Sequence, residues 1–161
     1  MLTVRHKGLR IMLSEDDKWY AVSLRLCGDS LDPMSVEPLI GLSPTTVGLK
    51  GQNRKGTQGR EYAPYETNIW VYSHSGPDNS GFEDRLRAVF SLLGSRRSAL
   101  KTLCTTPGIE GEMFLGFSSD CGQGGDTISA EVLALMADTG LSLSLDLYPP
   151  TVDEDENDTS L

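Results

Sequence analysis

The segment Asp120-Cys-Gly-Gln-Gly-Gly125 sets a carboxylate, a thiol and three glycines ahead of a predicted helix that starts at Ser129. Free backbone N–H groups in such a loop, next to a helix N-terminus, suit a phosphate or a carboxylate. Asp120, Cys121, Gln123, Gly124 and Gly125 are therefore candidate contacts for a ligand or a partner. The segment lacks the Lys-Ser/Thr pair of a P-loop and the spacing of a dinucleotide fingerprint. A tight strand-to-helix turn that needs positive φ accounts for the same glycines. Cys121 would be acidified by a helix N-terminus, but a nucleophilic thiol calls for a histidine base. The chain has two histidines, His6 and His74, and neither is near Cys121 in sequence. An inert thiol is expected.

Asp29 and Asp32 form a second group. Paired carboxylates serve acid–base chemistry or bind a cation, and turn and helix-cap roles explain both equally well. A third group is basic: Lys50, Arg54, Lys55 and Arg60, followed by Tyr62 and Tyr65. Arg54, Lys55 and Arg60 are candidate contacts for RNA or an acidic protein, or the solvated side chains of a loop. The sequence contains no Cys/His cluster with zinc-ligand spacing and no Gly-x-Ser-x-Gly elbow. No catalytic set, metal site or cofactor is predicted.

The elements that must position these groups follow from length and pattern. The 161 residues suit one domain, long enough to bury a core without staples. Cys27, Cys104 and Cys121 are an odd number without a CxxC, which points to a reducing compartment. The start mixes Arg5, His6, Lys7 and Arg10 with apolar residues, unlike a signal peptide. No run approaches the ~18 apolar residues of a membrane span. The expectation is a cytoplasmic protein without a membrane partner.

Net charge is −9. Asp153, Glu154, Asp155, Glu156 and Asp158 account for five of the 23 acids, leaving 18 against 14 bases in the body. That balance argues against a nucleic-acid binder, which needs a basic face. It allows a basic protein partner.

Period-2 alternation predicts a strand at Trp19–Leu26, with Tyr20, Val22, Leu24 and Leu26 on one face and Ala21, Ser23 and Arg25 on the other. Asp32-Pro33 predicts a helix start, Gly41 its end, and Pro38 a short or kinked helix. Pro44–Lys50 is a weaker strand, Gly51–Tyr65 a mobile loop, and Asn68–His74 a central strand. Ser80-Gly-Phe-Glu83 fits a capping box before an amphipathic helix bearing Phe82, Leu86, Val89, Phe90 and Leu93. A further helix over Ser95–Cys104 and a strand over Gly111–Ser118 follow. The Ser129 helix ends at Gly140, and Leu141–Leu147 is a half-buried last strand. The last three elements form either a βαβ unit or antiparallel neighbours. The fold class predicted is α+β, a two-layer sandwich with a mostly antiparallel sheet and helices on one face. Residues 1–18 read as an N-terminal extension with a small hairpin over Leu2–Leu13, 19–149 as the domain, and 150–161 as an acidic disordered tail.

Gly28-Asp-Ser-Leu-Asp-Pro33, Ile40-Gly-Leu-Ser-Pro-Thr45, Lys50-Gly51, Ser119-Asp-Cys-Gly-Gln-Gly-Gly125 and Thr139-Gly-Leu-Ser-Leu-Ser-Leu-Asp146 with Leu147-Tyr148 stand in a specific order. In these segments the chain resembles the bacterial domain-of-unknown-function family DUF4279, from about Tyr20 to Tyr148. Pro38 and the Gly51–Tyr65 loop depart from the pattern. The resemblance implies an α+β fold and a bacterial or phage origin, and no activity.

Small size, negative charge and missing catalytic groups lead to a non-enzymatic protein-binding domain, such as an immunity or antitoxin-type inhibitor of a basic toxin or effector. The alternative is a small-ligand or nucleotide-binding domain using Gly122–Gly125. An enzyme built on Asp29, Asp32, Asp120 and Cys121 has no identifiable base or electrophile.

Overall fold

A computed structural model describes residues 18–56, 60–77, 80–119 and 123–148. The suggested N-terminal hairpin and the acidic tail lie outside the described residues, as do Asp120, Cys121 and Gly122. Strand β1 (Lys18–Gly28) is followed by helix α1 (Pro33–Ile40), β2 (Thr46–Gly48), β3 (Arg54–Lys55), β4 (Glu61–Tyr62) and β5 (Asn68–His74). Helix α2 (Phe82–Leu93), a 3-10 turn at Gly94–Arg96 and α3 (Arg97–Thr105) come next. Strand β6 (Glu110–Ser119), helix α4 (Ala130–Thr139) and β7 (Ser142–Tyr148) complete the order.

The main sheet runs β2-β5-β1-β6-β7. All its pairs are antiparallel except β6–β7, which is parallel across α4. The fold is thus the expected α+β sandwich, and its last three elements are a βαβ unit. β1 sits at the centre because its alternation suits both neighbours at once. Leu24 opposes Tyr72 on β5 and Met113 on β6, and Leu26 opposes Trp70 and Gly111. On this face Val22, Leu24, Leu26, Trp70, Met113 and Leu115 are buried beneath the helices. The helices contribute Val36 and Ile40 from α1, Leu86, Val89 and Phe90 from α2, Leu100 from α3, and Val132 and Met136 from α4. Burial of each such side chain stabilises by about 1.5–3 kcal/mol.

Four local expectations are corrected. The Ser80/Glu83 capping box does not form. Gly81 is the N-cap of α2 and gives no side-chain bond. The Ser80 hydroxyl donates to the carbonyl of Pro77 at 2.7 Å, and the buried Arg85 guanidinium donates to the carbonyls of Ser80 and Pro77 at 3.0 and 2.8 Å. The cap comes from Asp126, far along the chain. The segment Gly51–Tyr65 is not a plain loop, because it folds into the β3–β4 hairpin closed by bonds from Gly51 N–H to Tyr65 and from Tyr65 N–H to Gln52. The strand expected over Pro44–Lys50 shrinks to three residues. The leucines of β7 are not half-buried, since Leu145 and Leu147 are 60% and 65% exposed. No described helix is long and apolar enough to cross a membrane.

Candidate functional site

The opposite face of the sheet has no helix on it among the described residues. Pairing register carries Trp19, Ala21, Ser23, Arg25 and Cys27 to this face, because these positions alternate with the buried ones on β1. β6 adds Glu110, Glu112, Phe114 and Gly116 beside them, and β7 adds Ser144, Asp146 and Tyr148. The aromatic groups and charges interlock. Trp19 stands edge-on to Tyr148 with ring centroids 5.9 Å apart. It lies over Gly116, where a Cβ would come within 3.1 Å of the ring. The Arg25 guanidinium sits 3.3 Å above the Phe114 ring centroid and 3.6 Å from Glu112. Such stacking holds a cation better than an exposed ion pair alone. The Ser144 hydroxyl donates to Glu112, and the Tyr148 hydroxyl to Asp146 at 2.5 Å. The Asp146 carboxylate, with some burial, pushes the Tyr148 phenol above its ordinary pKa. Among the charged residues just named on this face, three are acids and one is a base. Trp19 and Tyr148 remain 51% and 45% exposed. Asp146 stands beside this pair, and Glu112 and Glu110 lie further along β6, opposite Arg25 and Cys27; exposed aromatic rings on a polar face are suited to protein contact.

The basic hairpin borders the far side of this face. Tyr65 packs against Gly48 on β2, and Arg54 lies 5.7 Å from the Tyr65 centroid while its Nε donates to the Ala63 carbonyl at 2.9 Å. Arg60 lies 6.0 Å from the Tyr62 centroid. Lys55 pairs with Glu61 in the hairpin register. Lys50 is taken up by Asp29, with Nζ 2.5 Å from the carboxylate, which holds the Asp29 carboxyl below the ordinary range. Lys50, Arg54 and Arg60 are therefore engaged by an acid, a carbonyl and rings. Asp32 caps α1, accepting from the Met34 N–H at 3.1 Å. Asp29 and Asp32 thus hold separate structural posts.

The glycine loop is organised by aromatic packing. Gly124 has φ of 154° and its missing side chain would fall on the Phe117 ring. Phe117, Tyr20 and Phe82 form one cluster, with Tyr20 4.9 Å from Phe82 and 5.1 Å from Phe117. The Tyr20 hydroxyl reaches the Gly125 carbonyl at 3.5 Å, and the Ser119 hydroxyl donates to the Gln123 carbonyl at 2.8 Å. Residues 126–129 separate these glycines from α4. Two helix starts lie side by side here, and carboxylates of the chain fill both. Asp126 accepts from the N–H groups of Phe82 and Glu83 on α2. Glu83 accepts from the N–H and hydroxyl of Ser129, the N-cap of α4, at 3.0 and 2.9 Å. An external anion at this point would compete with Glu83 and Asp126 for the same donors.

No group of three or more His, Cys, Asp or Glu converges as a metal site among the described residues. Burial pushes the Cys104 thiol up to about 11; burial, then Glu110 and Glu112, also raises Cys27. The open sheet face escaped the sequence reading as a site. Its signal was present in the polar half of each alternation, and the missing information was the strand order that sums those halves.

No curated protein and no solved structure matches the chain. A family profile described as "Domain of unknown function (DUF4279)" matches residues 17–150. With most of its length covered, the chain belongs to the DUF4279 family.

Proposed function

We propose that this domain is a non-enzymatic protein binder, an immunity or antitoxin-type inhibitor of a basic bacterial toxin or effector. Its contact surface is the open sheet face. The observation that carries this reading is the exposed Trp19–Tyr148 pair with Asp146 bonded to the Tyr148 hydroxyl, on a face that also carries Glu112 and Glu110 further along β6. The rings supply a contact of low conformational cost, and the acids steer a basic partner and reject an acidic one.

The test is co-expression with the product of the adjoining gene, followed by a growth assay and a binding titration. Protection by the wild-type chain, weakened about 30-fold or more in affinity by Trp19→Ala or Tyr148→Ala, supports the reading. Rim charges set association rate, so the rate should fall as salt rises. Full protection by both variants would remove the open face from the proposal, and no protection by the wild-type chain would remove the inhibitor role.

A further inference from the structure

β7 ends the sheet among the described residues, and it is an unusual edge. Edge strands are ordinarily blunted by lysine, proline, a bulge or brevity. The other edge, β2, is three residues long and has the β3–β4 hairpin beside it. β7 is seven residues, Ser-Leu-Ser-Leu-Asp-Leu-Tyr, with no proline and no base. On its helix-side face Leu143, Leu145 and Leu147 are 39%, 60% and 65% exposed.

Helix α4, on the same side of the sheet, carries exposed apolar side chains of its own. Glu131 and Asp138 tie one flank of α4 to Arg87 on α2 and Lys101 on α3. The helical period puts Leu133 on the opposite flank, towards the β7 edge, and Leu133 is 44% exposed. Ala130, Ala134 and Ala137 continue this exposed strip with small side chains that permit a close helix approach.

We propose that β7 is a homodimer edge. Two copies pair β7 antiparallel about a two-fold axis through Leu145, making one sheet continuous across both. The sequence of β7 is self-complementary in that register. Leu143 faces Leu147 of the second copy, Leu145 faces itself, and Ser142 faces Tyr148. Asp146 faces Ser144, a hydroxyl donor, so no acid meets an acid. Centring on Asp146 would oppose two carboxylates, a repulsive pair. Centring on Ser144 would leave Leu147 and Tyr148 outside the seven-residue pairing. The two α4 helices then lie side by side on the helix face, their leucine and alanine strips in contact, while the open face stays free.

The experiment is sedimentation of the full chain over a range of concentration, with Leu145→Lys alongside. Leu145 is exposed, so the variant keeps its fold, checked by circular dichroism. The expected result is a wild-type dimer and a Leu145→Lys chain whose dissociation constant is raised about 100-fold or more. Leu145→Cys should join to itself through a short thiol-reactive linker, since facing Cβ atoms across a strand pair lie about 5 Å apart. A monomeric wild type, or a dimer untouched by Leu145→Lys, overturns the proposal. So does a chain that dimerises only after residues 1–17 are removed, because that segment would then be the occupant of the edge.

Discussion

Glu83 and Ser129 belong to different helices and hold each other twice, the carboxylate accepting from the Ser129 N–H at 3.0 Å and from its hydroxyl at 2.9 Å. The Ser129 backbone bond is the largest cause of a lowered Glu83 pKa; its hydroxyl and Arg87 add to it. A carboxyl depressed in the folded state contributes stability above its unfolded value, and that contribution is lost as pH falls through the folded value. Glu83→Gln is expected to lower the urea midpoint at neutral pH. The gap to the wild type should close at acid pH, below the ordinary glutamate range. A gap independent of pH would show that charge at Glu83 contributes nothing.

Gly124 and Phe117 should couple. Gly124→Ala adds a methyl where the Phe117 ring lies and strains a backbone at φ 154°. The cost is expected at about 1–3 kcal/mol in chemical denaturation. Made in a Phe117→Leu background, the same substitution should cost measurably less, because the collision is relieved and the strain remains. Equal costs in both backgrounds would place the whole effect in the backbone.

Two other glycines separate collision from strain. Gly28, in the Gly28–Pro33 motif, has φ of 149° and a Cβ there would strike the carbonyl of Gly108. Gly51 has φ of 80° with nothing within 4 Å of the added atom. Gly51→Ala should cost about 1 kcal/mol, the left-handed penalty alone. Gly28→Ala should cost about 3 kcal/mol or more, or yield insoluble chain. Similar midpoints for the two variants would refute the assigned collision.

Cys104 should resist alkylation. With its thiol raised to about 11 by burial, the thiolate is scarce at pH 8, and reaction requires the thiolate. Iodoacetamide labelling followed by peptide mass spectrometry should leave Cys104 unmodified at pH 8 in the folded chain and modify it in urea. Rapid labelling of the folded chain would contradict the burial described.

Local signals made much of the fold legible. Asp32, Pro33 and Gly41 bracket α1 as their chemistry predicts, and α1 tolerates Pro38 within eight residues. Ser129 and Gly140 bracket α4 in the same way. What failed depended on distant partners. Ser80 has the right spacing to Glu83 for a capping box, yet Glu83 is drawn to Ser129 and Asp126 takes the α2 cap. Alternation in β7 reads as half-buried, but α4 leans towards α2 and α3 and leaves the leucines uncovered. The open face was legible only strand by strand; register alone brings Trp19 to Tyr148 and Arg25 to Phe114.

The central place of β1 has a consequence for synthesis on the ribosome. β1 is the first described strand made, yet Cys27 must wait for Glu110 and Lys18 for Ser119. Until β6 emerges, β1 has at most β5 beside it, and the apolar row Val22, Leu24, Leu26 lacks half its cover. Such non-local pairing slows folding and leaves a nascent chain open to capture by chaperones or by other chains. The sheet centre, the most buried part of the finished domain, is thus its most vulnerable part while the chain is being made.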